Sequence, residues 1–404
     1  MDQSIAYLYS LQKFGMKFGL RNIRALLSAA GDPQKKFPSI HIAGTNGKGS
    51  TSSMTAAILT AAGYSVGLYT SPHLVSFRER IRINGTMIPQ KELVRLVRLL
   101  KPEIDARQAT FFEAATAIAF RYFAEQQVDI AVIETGLGGR LDSTNIITPL
   151  VSVITTIAKD HQEQLGDTLT AIAEEKGGII KRHVPVVAGS IGGAPLRTLK
   201  QIAQLRHAPF HSAKNFSIPR GTVLDLHGEF QERNARTAVA AVTLISHSMP
   251  VGDAAIRNGL ANATRLSGIR GRFELRKGKP DILIDVAHNP EGMLTLSDEL
   301  MRLKRKKIVI VFGVMKDKDH HSMLKALIPL RPLVIAAQPQ GERAMPVRDV
   351  VVECRRIGLT VTASKDVPDA VRIGRTRAGK TGLLVIAGSN FLAGEVLPLL
   401  ENKS

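Results

Sequence analysis

The chain carries a single cysteine, Cys354, and no tryptophan. One thiol can build neither an internal disulfide framework nor a thiolate metal cluster, and its setting, VVECRRIG, reads as a packed position rather than a nucleophile site. Aromatic residues make up only 5% of the 404 positions, which leaves few stacking platforms for nucleic-acid bases. No apolar run reaches the roughly 18 residues of a membrane span. The opening MDQSIAYLYS has neither a signal-peptide core nor the Arg-rich, acid-poor look of a transit peptide, so the expected location is cytoplasmic. Acidic residues are also scarce, 35 against 54 basic ones, for a net charge of +19. Three uses of that charge compete: a basic solvated surface, anionic substrates, or nucleic acid. The basic residues are spread along the chain, densest at Lys304 to Lys307 and Arg372 to Lys380, which ranks the surface first, phosphate and carboxylate substrates second and nucleic acid third.

What is present is organised around SIHIAGTNGKGSTSSMTAAILTAAG, ending at Gly63. A short apolar run (Ile40, Ile42, Ala43) predicts a buried strand, and Thr51 to Ala62 predicts a helix ended by Gly63. Between them Gly44, Gly47 and Gly49 let backbone N–H groups crowd an anion at the helix start, and Lys48 adds a positive charge. The chemistry this suits is triphosphate binding. The match to GxxxxGK[ST] is imperfect, because Gly49 displaces the hydroxyl to Ser50. Read blandly, the same stretch is a glycine turn between strand and helix.

Taken in order, Asp2 to Gln12 and Leu20 to Ala30 predict two helices. Ser65 to Tyr69 predicts a second strand running into TSPHLVSFRERIRING, which puts Thr70, Ser71 and His73 on the same rim as Lys48, since loops at carboxyl ends of strands form the ligand crevice of an open α/β sheet. Helices are expected at Leu93 to Leu100 and Thr110 to Phe123. Asp129 to Ile133 predicts a third strand ending in Glu134, a usual place for a magnesium ligand after a phosphate loop. The fourth, Leu150 to Thr155, leads to His161. A lone loop histidine is commonly a surface residue, but Ser71, Glu134 and His161 converge on three strand ends around one phosphate loop. A short helix, Thr168 to Lys176, closed by Gly177 and Gly178, and a strand, Val184 to Ala188, follow.

From Pro195 to about Asn262 the pattern weakens, with a short strand pair expected near Phe210 to Leu226 and a helix at Asn234 to His247. The Gly- and Arg-rich run at 264–274 reads as an interdomain linker. Beyond it a second α/β unit begins: strand Ile282 to Val286, loop AHNPEG, helix Met293 to Leu303, strand Lys307 to Val311, and further strands at Leu333 to Ala336 and Leu383 to Ala387.

Nine motifs in order, FGLRNIRALLSAAGDPQKKFPSIHIAGTNGKGST, TSPHLVSFRERIRING, TFFEAAT, IETGLGGRLDSTNII, DHQEQLGDTLTAIAEEKGGIIK, QERNARTA, GRFE, DVAHNPEG and FGVMKDKD, resemble the folylpolyglutamate synthase and dihydrofolate synthase family, a branch of the Mur ligase superfamily. The resemblance implies an α/β fold: an N-terminal P-loop ATPase-like doubly wound sheet domain of the Mur ligase central type over 1–266, and a C-terminal Rossmann-like domain over 267–404. It implies an ATP- and Mg2+-dependent ligase joining L-glutamate to a folate carboxylate through an acyl phosphate. The folate is dihydropteroate or a reduced folate, with no nucleic acid or membrane partner, and the enzyme is expected to be a monomer. By matched position, Gly44, Thr45, Asn46, Gly47, Lys48, Gly49 and Ser50 would hold ATP, with Asn234, Arg272 and Asp285. Ser71, Glu134, His161 and a carbamylated Lys176 would hold the metal. Lys48, Lys176 and His288 would form the catalytic set. Gly19, Leu20, Thr110, Phe111, Phe112, Glu113 and Leu141 would take the pterin, with KFGL at Lys17 to Leu20 standing where the family often reads DLGL. Two readings compete: a Mur ligase using a nucleotide sugar, which would be expected to have a substrate domain before the phosphate loop, where only 43 residues precede Gly44, and a basic P-loop protein acting on nucleic acid.

Overall fold

The computed structural model describes residues 3–15, 17 and 19–401. The expected helix start at Asp2, and Phe18 within KFGL, lie outside the described residues. The chain divides into two compact units. The first runs to Pro72 and takes in Phe77–Asp225 and Gln231–Ile269; the second takes in His73–Ser76, Leu226–Phe230 and the chain from Arg270 onward.

The first unit holds eight strands: β1 Ser39–Ala43, β2 Val66–Tyr69, β3 Ile81–Ile83, β4 Thr86–Met87, β5 Ile130–Glu134, β6 Val151–Ile154, β7 Val186–Ala188 and β8 Phe210–Ser212. They lie in the order β4-β3-β2-β5-β1-β6-β7-β8. All but the β3 and β4 edge are parallel, and β1, β2, β5, β6 and β7 are buried throughout. Continuous apolar strands of this kind need helices on both faces. Phe37, Tyr69, Phe120 and Phe123 join a core with Leu26, Leu93 and Ile118; Ile154, Ala173, Ile179, Val186 and Leu199 form a second, further along the same face, as the pairing of His41 with Ile133 and of Ala43 with Ile154 requires.

Three expectations need correction here. In place of a strand pair near Phe210 to Leu226 there is β8 alone. A helix at Gly193–Leu205, with Leu199 and Ala203 buried, precedes it, and Asp253–Ala261 is helical as well. The loop expected after β2 contains the β3–β4 hairpin, turned by Asn84 (φ 47°) and Gly85 (φ 77°), as an Asn-Gly type I′ turn requires.

The second unit has six strands: β9 Glu274–Arg276, β10 Asp281–Ile284, β11 Ile308–Phe312, β12 Leu333–Ala336, β13 Thr360–Ala363 and β14 Leu383–Ala387, in the order β13-β12-β11-β14-β10-β9. All but β9 are parallel. The run read as a linker, 264–274, begins in the helix Ala263–Ser267 and ends where Glu274 opens β9; 268–273 is neither helix nor strand, and the first unit ends there at Ile269. Cys354 is wholly buried, and burial pushes its thiol up to about 12, so it packs and does not react. Among the described residues no helix is long and apolar enough to cross a membrane.

Candidate active site

The phosphate loop links β1 to the helix Lys48–Ala61. Its shape is imposed by the chain just after β6. Thr45 N–H donates to the Thr156 carbonyl at 2.9 Å, and Asn46 N–H to Thr156 Oγ1 at 2.9 Å. Thr155 Oγ1 donates to the Asn46 carbonyl at 2.7 Å, while Thr45 Oγ1 bonds both the N–H and the carbonyl of Ala158. Gly44 admits no side chain, since a Cβ there would lie 1.9 Å from Thr155 Oγ1. Gly47, at φ 83°, is the helix N-cap and supplies no side-chain cap, and the positive end of a helix favours an anion.

Two amines converge on this loop. Lys48 Nζ donates to the Gly44 carbonyl at 2.9 Å and to the Thr45 carbonyl at 3.3 Å, and Lys176 Nζ donates to the same Gly44 oxygen at 3.0 Å. Lys176 is buried, at 4% exposure, in a helix that runs Leu169–Gly177, one residue past the expected end. Burial first, and the neighbouring Lys48 second, bring its amine down to about 7. A sizeable neutral fraction is therefore present near physiological pH.

Glu134 ends β5, directly paired with β1, and is 2% exposed. Ser71 follows β2, the next strand outward, and His161 lies beyond β6 on the other side of β1. Neighbouring strands stand about 4.8 Å apart, so the sheet order brings these chain segments to one rim around the phosphate loop. The side chains differ: Glu134 is buried and Ser71 half-buried, whereas His161 is exposed at φ 51°, with its N–H on Asp160 Oδ1 at 3.0 Å. Among the described residues no three His, Cys, Asp or Glu side chains gather as a metal site. A buried carboxylate and a serine hydroxyl nevertheless fit a hard cation that keeps several waters, as magnesium does.

The loop after Glu134 is held by Asp142, whose carboxylate accepts from the N–H groups of Gly136 and Leu137, both at 2.8 Å, and from Thr144 Oγ1 at 2.5 Å. Thr144 spends its one proton there, so His41 Nε2, 2.8 Å from the same hydroxyl, must be the donor. Burial holds the His41 imidazole down to about 3, and the ring stays neutral.

Several of the residues expected to take the pterin collect at the start of the helix Phe111–Glu125. Thr110 and Glu113 form a capping box, and Glu113 Oε2 also accepts from Asn22 at 2.9 Å. Phe111 stacks on Tyr9 at 5.8 Å and carries the buried Arg80 guanidinium 5.2 Å over its ring. Phe112 lies against Gly136, where a Cβ would come 2.4 Å from the ring. Leu20, at the N-cap of Arg21–Ala29, packs in the same apolar cluster as Phe111 and Phe112. Gly19, at φ 127°, precedes it, and Leu141 is half-buried in the loop beside Asp142.

Asn234 faces the phosphate loop: a Cβ on Gly47 would lie 2.5 Å from its Oδ1. Arg272, Asp285 and His288 belong to the second unit. There Asp285 follows β10 and accepts from the N–H groups of Phe273 at 2.9 Å and Ala287 at 2.8 Å. Burial raises its carboxyl, against the opposing pull of Arg272. His288 Nδ1 stands 2.9 Å from the Val286 carbonyl, which can only accept, so Nδ1 carries the hydrogen. Reading the sequence passed over Thr155, Thr156, Asp142 and Arg80. The hydroxyl pair at the end of an apolar strand was the available signal for the first two; nothing local marks the others.

A phosphate loop on the central strand of a mostly parallel sheet, followed by a second α/β unit, defines a nucleotide-dependent ligase of the Mur type. Residues 42–191 match the Mur ligase middle domain and residues 271–390 the Mur ligase glutamate ligase domain. The chain is 34% identical to the dihydrofolate synthase/folylpolyglutamate synthase of Bacillus subtilis, over 98% of each protein. Its fold superposes on Mycobacterium tuberculosis folylpolyglutamate synthase complexed with ADP at a TM-score of 0.89, with 31% identity over 98% of both chains. Escherichia coli FolC in complex with DHPP and ADP gives 0.88, with 28% identity over 99% of this chain and 98% of that one. The chain belongs to the folylpolyglutamate synthase/dihydrofolate synthase family of the Mur ligase superfamily.

Proposed function

We propose that this protein is the ATP-dependent ligase that forms an amide between a folate carboxylate and L-glutamate. The observation that carries the reading is the pair of lysines, Lys48 and Lys176, gathered on one carbonyl of the glycine-rich loop beside the strand that ends in Glu134. That is a site for a polyphosphate, held next to a carboxylate that suits a divalent cation.

The reaction has two displacements. A carboxylate oxygen of the folate attacks the γ-phosphorus, ADP leaves, and an acyl phosphate results. The glutamate amine then attacks the acyl carbon, inorganic phosphate leaves, and the amine gives up a proton. The loop from Gly44 to Ser50 orients the triphosphate, and Lys48 offsets charge on the transferred phosphoryl group. Mg2+, when bound by Ser71, Glu134, His161 and Lys176, supplies further charge neutralisation at the phosphates. Lys176 is proposed to serve as its carbamate, an anionic oxygen donor formed from the neutral amine and carbon dioxide. Asn234, Arg272 and Asp285 are assigned to the nucleotide, and Gly19, Leu20, Thr110, Phe111, Phe112, Glu113 and Leu141 to the pterin. With its Nδ1 committed to Val286, His288 would exchange protons through Nε2. Residues 1–266 would carry nucleotide and folate, and 267–404 the ligase part. Cytoplasmic location accords with the unpaired buried cysteine and with the absence of a membrane-crossing helix among the described residues.

The test is phosphate release with ATP, Mg2+ and L-glutamate plus either dihydropteroate or tetrahydrofolate. Release that requires glutamate and one of the two folates is expected, and the folate that supports it names the acceptor. Release indifferent to both folates would reject the reading.

A further inference from the structure

Two threonines clamp the phosphate loop to the chain beyond β6, each through a pair of hydrogen bonds and in opposite directions. Thr45 Oγ1 accepts from the Ala158 N–H at 3.0 Å and donates to the Ala158 carbonyl at 3.1 Å. Thr156 Oγ1 accepts from the Asn46 N–H at 2.9 Å and donates to the Asn46 carbonyl at 3.1 Å, where Thr155 Oγ1 donates as well, at 2.7 Å. A backbone N–H only donates and a carbonyl only accepts, so the arrangement has one sense and cannot be reversed by turning a side chain. The first clamp holds the two segments side by side. The second acts on the peptide groups either side of Asn46, next to the helix start. The Asn46–Gly47 peptide is trans, and in a trans peptide the C=O and the N–H point to opposite sides. Holding the Asn46 oxygen against Thr155 and Thr156 therefore turns the Gly47 N–H away from the end of β6, and that N–H meets no acceptor among the described residues. Thr156 is only half-buried, so water could satisfy the Asn46 groups in its place. What the hydroxyl adds is direction.

We infer that Thr156 is a positioning residue: by closing on both sides of Asn46 it aims the Gly47 N–H at a phosphate oxygen of the bound nucleotide. The inference rests on the assignment of the loop to ATP. Thr155 shares the hold on the Asn46 oxygen, but only Thr156 also holds the Asn46 N–H, so its loss releases the peptide on both sides. The nucleotide would then have to order a peptide that the wild type presents already ordered, and its affinity falls accordingly.

Thr156→Val keeps the shape of the side chain and removes the hydroxyl; Thr156→Ser keeps the hydroxyl and removes the methyl group. In calorimetric titration of the full-length proteins with ADP and Mg2+, Thr156→Val should bind at least about tenfold more weakly than wild type and Thr156→Ser within about threefold, the scale of one hydrogen bond to a charged group. In steady-state assays of Thr156→Val the KM for ATP should rise by a similar factor while the KM for L-glutamate stays within about twofold. ADP bound by Thr156→Val within about threefold of wild type would overturn the inference. A serine variant as weak as the valine one would equally overturn it, since packing of the methyl group would then be the cause, and so would equal rises in the two KM values, the mark of a general loosening. Should Thr156→Val fail to fold, amide NMR of the wild type decides: on adding ADP the Gly47 N–H resonance should move downfield and its exchange slow, and an unmoved Gly47 resonance refutes the contact. A wild type that binds no ADP at all is a different result, which removes the nucleotide site and the inference with it.

Discussion

The two units use the same strand–loop–helix device for opposite ends. In the first, β1 runs into a glycine loop and the helix Lys48–Ala61, whose N-cap, Gly47, offers no side-chain bond, and two lysines lean on the loop. In the second, β10 runs through Asp285 to the helix Pro290–Arg302, whose N-cap, Asn289, bonds the Gly292 N–H with its own side chain at 2.8 Å. One helix start has no side chain at its N-cap and carries the Lys48 amine beside it. The other is satisfied by its own chain and preceded by a buried carboxylate. Strand, loop and helix do not make a phosphate site; an uncapped N-terminus with a cation beside it does.

The largest effects should come from the charges that set the first strand end apart. Replacing Glu134 by Gln keeps the side chain's shape and removes its anionic charge, and turnover should fall by at least about a thousandfold, the scale for losing an essential electrostatic group. The check is kcat across a magnesium titration, with a circular dichroism melt to show that the fold persists. Wild-type activity at any magnesium concentration would remove Glu134 from the metal. Lys176→Ala should cost about a hundredfold or more and be partly restored by acetate, which can supply the missing carboxylate oxygen. Absence of rescue, together with a map of active enzyme showing a plain amine at Lys176, would reject the carbamate.

Next comes the cap itself. Gly47→Ser gives the first loop a side-chain oxygen at the N-cap, as the second has in Asn289, at a residue whose φ of 83° disfavours any side chain and whose Cβ would meet Asn234 Oδ1. ATP affinity should drop by about tenfold or more in a binding titration, with a smaller loss of thermal stability. The reciprocal change, Asn289→Ala, should cost about 1 kcal/mol of stability, read from urea unfolding, because it removes the side-chain cap of the helix Pro290–Arg302. Equal losses of ATP affinity from the two variants would erase the distinction between the loops.

Much of this was legible in the residues, and the reasons are physical. Leu333–Ala336 and Leu383–Ala387 are strands with the bounds expected, since a strand covered on both faces must be apolar at every position. β3 and β13 have no such requirement. The first, read as loop, alternates arginine with isoleucine at the sheet edge, and the second is partly exposed. Only the Asn84-Gly85 turn pointed to the hairpin. The helix Gly193–Leu205 begins at the second of a pair of glycines and buries one narrow stripe, so its period was faint. In the site, glycines and lysines announce themselves by type and spacing. Asp142 acts through hydrogen bonds to groups that the fold brings near, and it has no local pattern to betray it.

The smallest effect concerns His41, in the middle of β1 beneath the phosphate loop. Its imidazole is wholly buried, donates from Nε2 to Thr144 and is held down to about 3 by loss of solvation, with the nearby Lys181 adding to the same direction. In the unfolded chain a histidine takes up its proton near pH 6.5. Between pH 6.5 and about 3 the unfolded state therefore binds a proton that the folded state refuses, and stability must rise with pH over that window and level off above it. From pH 6.5 down to 5.5 the loss from this one residue is about 1 kcal/mol. The variant His41→Gln keeps an amide donor for Thr144 and cannot titrate. It should differ from wild type by a constant near neutrality, and its stability should fall less steeply on acidification. Urea unfolding of both proteins at pH 7.5, 6.5 and 5.5 measures the two slopes. Parallel curves would mean that His41 is protonated in the folded protein, and that the strand under the phosphate loop accepts a charge that its surroundings are built to exclude.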